Sequence, residues 1–395
     1  MKINSLTIKN FRSLESLVLP ELGRINLLVG KNNSGKTSIL ESLRVLSSRG
    51  AIKTLIELAV EREDQVQDEN LDEEGSIKRL ISGIFKDHAI DEKEIFIGDS
   101  EGATNLSLKR TQYLYLREET PNGLVVGKRQ PLSSEEITRL GSEDSEETDI
   151  REGLEVSIGG YEPELVRIDR AASRPFLDGV SDSKWPVAAC AFVPAQPKDV
   201  DELAILWDQI ALSDRELDVV KALKLIEPSI AALTFVEADP NMEEVRRRLL
   251  RRPRTMSSRG SRRIPIVRLE GSNLRVPLRS MGDGLHRILD VVLRLVAIQD
   301  GFLLVDEFEN GLHYSIHDKL WELVLKIATE RSVQVFATTH SDDCVDAFSR
   351  VSLESSESGV LYRIAKPMSN QHSHFVRRYS EQTLLDAKEA DVEVR

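Results

Sequence analysis

Gly30-Lys31-Asn32-Asn33-Ser34-Gly35-Lys36-Thr37 fits the pattern G-x-x-x-x-G-K-[ST], in which a glycine-bearing loop wraps phosphates ahead of a helix N-terminus. Its neighbours fit that geometry. Arg24-Ile25-Asn26-Leu27-Leu28-Val29 predicts a buried strand feeding the loop. Gly35 to about Ser47 predicts a helix with Ile39, Leu40, Leu43 and Leu46 on one face. Upstream, Lys2–Lys9 alternates polar and apolar residues as a half-buried strand does. Strand, glycine loop and helix together imply an α/β protein that binds a nucleoside triphosphate.

A second half-site lies about 270 residues on, where Phe302-Leu303-Leu304-Val305 leads into Asp306-Glu307. A triphosphate is a dense anion, and backbone N–H groups from Asn32, Asn33, Ser34, Gly35 and Lys36 through Thr37 can cradle it. Ser38, next on the helix, is placed with them. Gly30 and Gly35 allow close backbone approach, and Lys36 is expected to reach the β- and γ-phosphates. Thr37 and Asp306 are the expected Mg²⁺ ligands. Glu307 is positioned to activate a water as general base. ATP and Mg²⁺ are therefore the expected cofactors.

Two further segments join this set. Ser280-Met281-Gly282-Asp283-Gly284 precedes a predicted helix over Leu285–Ile298. A small-residue turn at a helix N-terminus is an anion site, and one chain has no use for two of them on one triphosphate. The economical reading is that Ser280 and Gly282 cap a nucleotide held by another copy. His340 follows the apolar strand Val333–Thr338, at the sheet edge where α/β proteins bind ligands, within reach of a γ-phosphate. Glu309–His313, after the carboxylate pair, is a candidate cross-dimer contact.

At 395 residues the chain suits one large or two moderate domains. No apolar run reaches the ~18 residues of a membrane span. The best candidate, Ile288–Phe308, is broken by Asp290, Arg294, Gln299, Asp300 and Asp306. The N-terminus has no signal core. Cys190 and Cys344 stand in apolar surroundings as reduced core thiols, so a cytoplasmic protein is expected. A net charge of −13 opposes general coating of nucleic acid.

Between Ser48 and Pro186 the texture changes. Acidic stretches at Glu61–Glu74 and Glu135–Glu155 flank short strands at Glu94–Gly98, Thr104–Lys109 and Tyr113–Arg117, with a turn at Pro121-Asn122-Gly123. Residues 51–186 are expected as an inserted α+β lobe, and 1–50 with 187–395 as the domain that carries the motifs. Val187–Val193 predicts a strand, and Asp199–Leu212 a helix. Ser213-Asp214-Arg215-Glu216 is a capping box for a second helix. Ile264–Leu269 and Leu274–Leu278 predict a hairpin, and a terminal helix is expected near Glu381–Ala390. Nine arginines crowd Arg246–Arg263. They suit a phosphate backbone, an acidic partner, or a solvated loop balanced by the acidic lobe.

These residues, in this order, resemble the ABC-type ATPase heads of the RecF, SMC and OLD (overcoming lysogenisation defect) group. The resemblance rests on Ile8-Lys9-Asn10-Phe11-Arg12-Ser13, the P-loop, the Ser280–Gly284 signature, Asp306-Glu307, the D-loop-like Asn310–His313 and Ala337-Thr338-Thr339-His340-Ser341. It implies a P-loop NTPase fold with a mixed sheet, ATP hydrolysis, and a homodimer or higher oligomer sharing its ATP sites. Ser280 and Gly282 would serve the partner's ATP, His340 would be the switch histidine, and Arg12 would lie near the nucleotide. The phrasing of the signature and of Asp306–His313 looks most like stand-alone OLD-type ATPases. In that family these often accompany a separate Toprim-type effector, as in PARIS-like antiphage systems. Only 55 residues follow His340, too few for a Toprim domain, so no nuclease domain is expected here. The signature departs from Ser-Gly-Gly-Gln, and Gln112 is a weak candidate for the Q-loop. The alternatives are a RecF-like DNA-repair ATPase and, less well matched, an ABC transporter ATPase. No long heptad run supports an SMC-type tether.

Overall fold

The computed structural model describes residues 2–62, 79–90, 93–99, 105–119, 125–132, 136, 150–168, 187–196, 200–239, 263–272, 274–354, 359–366 and 372–379. In chain order, β1 (Leu6–Phe11), β2 (Leu14–Leu19) and β3 (Ile25–Val29) precede α1 (Lys36–Ser47) and α2 (Ile52–Glu61). Then come β4 (Ile95–Gly98), β5 (Leu106–Glu119), β6 (Val125–Pro131), β7 (Ile150–Ile158), β8 (Glu164–Arg167) and β9 (Cys190–Val193). Helices α3 (Val200–Ile210) and α4 (Asp214–Leu223) lead to β10 (Ile230–Glu237), β11 (Arg263–Leu269) and β12 (Arg275–Pro277). Helix α5 (Asp283–Ala297), β13 (Phe302–Val305), α6 (His317–Glu330), β14 (Gln334–Thr338), α7 (Asp342–Glu354), β15 (Gly359–Ala365) and β16 (Phe375–Tyr379) complete the described order.

The central sheet has six strands in the order β16-β15-β3-β14-β13-β9. Five run parallel, and β16 is an antiparallel edge, so the sheet is mixed. Its middle strands read as continuous apolar runs because both faces are covered. Phe302, Leu304, Phe336 and Leu28 point into one core with Ile39, Leu40, Leu43 and Leu46 of α1. Leu303, Val305, Val335, Ala337 and Leu27 point into the other, under α3 to α7. The α/β mixed-sheet P-loop fold expected from the sequence is the one observed.

The other face of α1 meets a second, antiparallel sheet in the order β2-β1-β4-β5-β7-β8, with β6 on β5. Here the expected boundary at residue 50 shifts. β4, β5, β7 and β8, from the expected lobe, share one sheet and one apolar core with β1, β2 and α1. They complete the N-terminal hairpin's sheet rather than standing apart. The two short strands expected at Thr104–Lys109 and Tyr113–Arg117 are one strand, β5.

The β11–β12 hairpin forms as expected, and the expected strand at 187–193 narrows to β9. The capping box does not close. The Ser213 hydroxyl donates to the Ile210 carbonyl at 2.5 Å, while Glu216 accepts from the Leu212 N–H at 2.9 Å, one residue before the cap. The Pro121–Gly123 turn, most of both acidic stretches and the expected terminal helix lie outside the described residues, as does the arginine segment apart from Arg263. Arg263 pairs with Asp208 at 2.5 Å. Both cysteines are free, and burial pushes the Cys344 thiol up to about 12. The described residues include no helix long and apolar enough to cross a membrane.

Candidate functional site

Strands β3, β14 and β13 are parallel neighbours, so the loops at their C-terminal ends meet. The loop after β3 brings Lys36 and Thr37, that after β13 brings Asp306 and Glu307, and that after β14 brings His340. Gly30 enters the phosphate loop at φ +146, and a Cβ there would sit 2.1 Å from the Ile364 carbonyl oxygen. No side chain fits that position.

Lys36 is 6 % exposed, and its ammonium donates to the Gly30 and Lys31 carbonyls at 2.7 and 3.1 Å. Burial lowers its pKa, against the opposing charges of Asp306, Glu307 and Glu309. Held by the carbonyls of the phosphate loop itself, the ammonium is a charge-assisted donor placed where a phosphate would enter. Asn32 and Asn33 are exposed on the loop, and Ser34 is buried with no hydrogen-bond partner on its hydroxyl. The Ser38 hydroxyl lies 3.3 Å from that of Ser13.

The Thr37 hydroxyl stands 3.2 and 3.4 Å from the two carboxylate oxygens of Asp306. Two hard oxygen donors converging from separate loops fit Mg²⁺, which keeps several waters and takes the rest of its shell from phosphate. The described residues contain no cluster of three or more His, Cys, Asp or Glu able to hold a metal alone.

Three further residues, Thr338, Arg287 and Glu309, hold this arrangement. Thr338 is fully buried. Its hydroxyl donates to Asp306 at 2.6 Å and accepts from the Glu307 N–H at 2.8 Å. Arg287 lies one turn inside α5 and is 3 % exposed. Its guanidinium donates to the carbonyls of Asp306 and Glu307 at 2.6 and 2.7 Å, and to that of Pro194 at 2.7 Å. Glu309 accepts from the His340 N–H at 2.7 Å. Its carboxylate therefore turns into its own chain, while Asn310, Gly311 and His313 of the same stretch are exposed. Glu307 has φ +51, a conformation non-glycine residues seldom adopt. Such strain persists where the surroundings impose it, and here both neighbouring main-chain groups are bonded.

Arg12 is bonded within its own chain. Its guanidinium donates to the Leu58 and Gly83 carbonyls at 2.8 and 3.1 Å and pairs with Glu41 at 3.4 Å. It ties the loop after β1 to α1 and α2, which is a structural task. Ser280 and Gly282 are exposed; the Ser280 hydroxyl donates to Pro277 at 2.7 Å, and a Cβ on Gly282 would meet nothing within 4 Å. Their turn packs with α5 and the β11–β12 hairpin, while α1 packs on β1, β4, β9, β13 and β14. Gln112 lies in the middle of β5, where its carbonyl accepts from the Leu132 N–H.

A phosphate loop, a strand-end aspartate aimed at its threonine, and a following glutamate define a P-loop ATPase with an ABC-type head. Two family models and several known proteins are similar to this chain. Residues 1–157 match a family described as AAA ATPase domain, and residues 202–346 match one described as AAA domain, putative AbiEii toxin, Type IV TA system. An ATP/GTP phosphatase of Helicobacter pylori is 21% identical over 370 residues, covering 88% of each chain. The DNA replication and repair protein RecF of Clostridioides difficile is 48% identical over 54 residues, which is 14% of this chain and 15% of that protein. A solved SMC head bound to the C-winged helix domain of ScpA aligns over 98% of this chain and 100% of its own, at 10% identity and a TM-score of 0.47. The chain has the P-loop fold of an ABC-type ATPase head, matches ATPase-domain families over residues 1–157 and 202–346, and is similar to RecF in short segments.

Proposed function

We propose that two copies of this chain close around Mg²⁺-ATP, hydrolyse it, and gate a separate Toprim-like effector protein in defence against phage. The Thr37–Asp306–Thr338–Glu307 cluster carries the hydrolytic part of this reading. Lys36 and the loop N–H groups would hold the β- and γ-phosphates. Thr37 and Asp306 would hold Mg²⁺, whose chemistry is to neutralise charge on the transferring phosphoryl group. Glu307 would take a proton from the attacking water, and His340 would meet the γ-phosphate.

The shared site rests on the exposed Ser280–Gly282 turn at the start of α5, a helix N-terminus with open space around Gly282. A twofold axis then closes the pair with two equivalent sites. The effector reading rests on the motif phrasing and suits the toxin–antitoxin description of the family matched by residues 202–346. A RecF-like DNA-binding ATPase is the second reading, favoured by the 48% identity over 54 residues, with Arg246–Arg263 as its expected phosphate contact.

Mixing Lys36→Ala and Ser280→Arg chains tests the shared site. In the mixed dimer one site combines both defects and the other has neither, so activity should return to a level neither variant shows alone. No recovery, once chain exchange is demonstrated, would overturn the shared site.

A further inference from the structure

Three hydrogen bonds fasten the loop after β13 to the loop after β14. Glu307 N–H donates to the Thr338 hydroxyl at 2.8 Å, Phe308 N–H to the Thr338 carbonyl at 2.9 Å, and His340 N–H to the Glu309 carboxylate at 2.7 Å. The first two fix Thr338; the third reaches His340 itself. It is charge-assisted and short, which makes it the strongest class of such bonds.

The carboxylate is well placed to act as a fixed point. Phe308, just before it, is fully buried and stacks on Trp321 with ring centroids 3.7 Å apart. Two consecutive turns, Asn310 N–H to Glu307 carbonyl at 3.0 Å and Leu312 N–H to Glu309 carbonyl at 2.9 Å, set the main chain on either side. One carboxylate oxygen of Glu309 is buried without a hydrogen-bond partner, and the charge also acts on Lys36, opposing the effect of its burial. A carboxylate is costly to desolvate in this way.

We infer that Glu309 is a positioning residue for hydrolysis, holding the backbone of His340 so that the imidazole faces the γ-phosphate. This rests on the reading of His340 given under Proposed function. A displacement of His340 on meeting phosphate would pass through the carboxylate to residues 307–309, and so to the general base. Glu309 itself touches neither nucleotide nor water in this role.

The test uses four variants of the full chain: Glu309→Ala, Glu309→Gln, Glu309→Asp and His340→Ala, with the Glu309→Ala/His340→Ala double. Steady-state phosphate release gives kcat and KM, and a fluorescent non-hydrolysable ATP analogue gives affinity. Losing a hydrogen bond to a charged group is worth about 10- to 100-fold, so Glu309→Ala should lower kcat by that factor with KM within about threefold. Gln keeps an acceptor oxygen at the same reach and should restore most of kcat. Asp keeps the charge but withdraws the acceptor by one methylene, and should behave like Ala. The double variant should be little slower than His340→Ala, because coupled residues are not additive.

An active Asp variant with an inactive Gln variant would overturn the inference by assigning the effect to charge alone. So would multiplicative losses in the double variant. If His340→Ala hydrolyses ATP at the wild-type rate, the reading of His340 fails and this inference with it. If His340→Ala is impaired and Glu309→Ala is not, only this inference fails.

Discussion

Thr338→Val removes one hydroxyl from the centre of the site and puts a methyl group in the same volume. The residue is fully buried, so no water replaces what is lost. Asp306 loses a 2.6 Å hydrogen bond, and the Glu307 N–H loses its 2.8 Å acceptor. The first loss is worth about 1.5–3 kcal/mol and the orphaned donor about 1–3 kcal/mol, giving ~2.5–6 kcal/mol together. An unfolding entropy of about 2.1 cal/mol/K per residue gives ~0.8 kcal/mol/K for 395 residues. The melting temperature should therefore fall by about 3–7 °C. The functional consequence is more specific. Freed from Thr338, the Asp306 carboxylate can rotate away from Thr37, so the Mg²⁺ concentration for half-maximal activity should rise by about tenfold. The nucleotide affinity, set mainly by the phosphate loop, should change little. Phosphate release titrated with Mg²⁺, alongside binding of a fluorescent ATP analogue, separates the two. Thr338→Ser keeps the hydroxyl and should stay near wild type. A Val variant with unchanged kcat and unchanged Mg²⁺ midpoint would refute the role assigned to Thr338.

Gly30→Ala places a Cβ 2.1 Å from a carbonyl oxygen at φ +146. It should cost about 2 kcal/mol or more of stability and about tenfold or more in ATP affinity, read by thermal melting and calorimetry. Arg294 donates to Asp290 at 2.6 Å within the core and to Glu202 at 2.8 and 2.9 Å. Arg294→Met leaves Asp290 buried without its counter-charge and should cost about 3 kcal/mol, with little from the more exposed Glu202. Adding Asp290→Leu should recover much of that in the same melting experiment.

The fold was legible where local pattern and tertiary outcome agree. β3, β13 and β14 are apolar runs flanked by motif residues, and both faces of their sheet are covered. Helices α1 and α5 carry one strongly apolar face, and their bounds follow from it. The sheet that β4, β5, β7 and β8 join was not legible, because alternation shows that a strand has a buried face but not which partner lies beside it. The Ser213 cap failed for a related reason: its hydroxyl found the Ile210 carbonyl, a competing local acceptor.

At the site, Lys36, Thr37, Asp306 and Glu307 announce themselves by spacing. Thr338, Arg287 and Glu309 act through hydrogen bonds that join separate elements, and their spacing carries no pattern. Thr338 stands two residues before His340 in a motif whose histidine, not its threonine, carries the pattern. Arg12 shows the reverse: a motif residue whose guanidinium serves two backbone carbonyls and Glu41.

Glu307→Gln bears most directly on the site as an ATPase centre. The amide keeps the shape of the side chain and cannot accept the proton of an attacking water. Phosphate release by the purified chain with Mg²⁺ and ATP should fall by about 10²- to 10⁴-fold, while the ATP analogue still binds. Turnover equal to wild type would contradict the assignment of Glu307 and the hydrolytic site built around it.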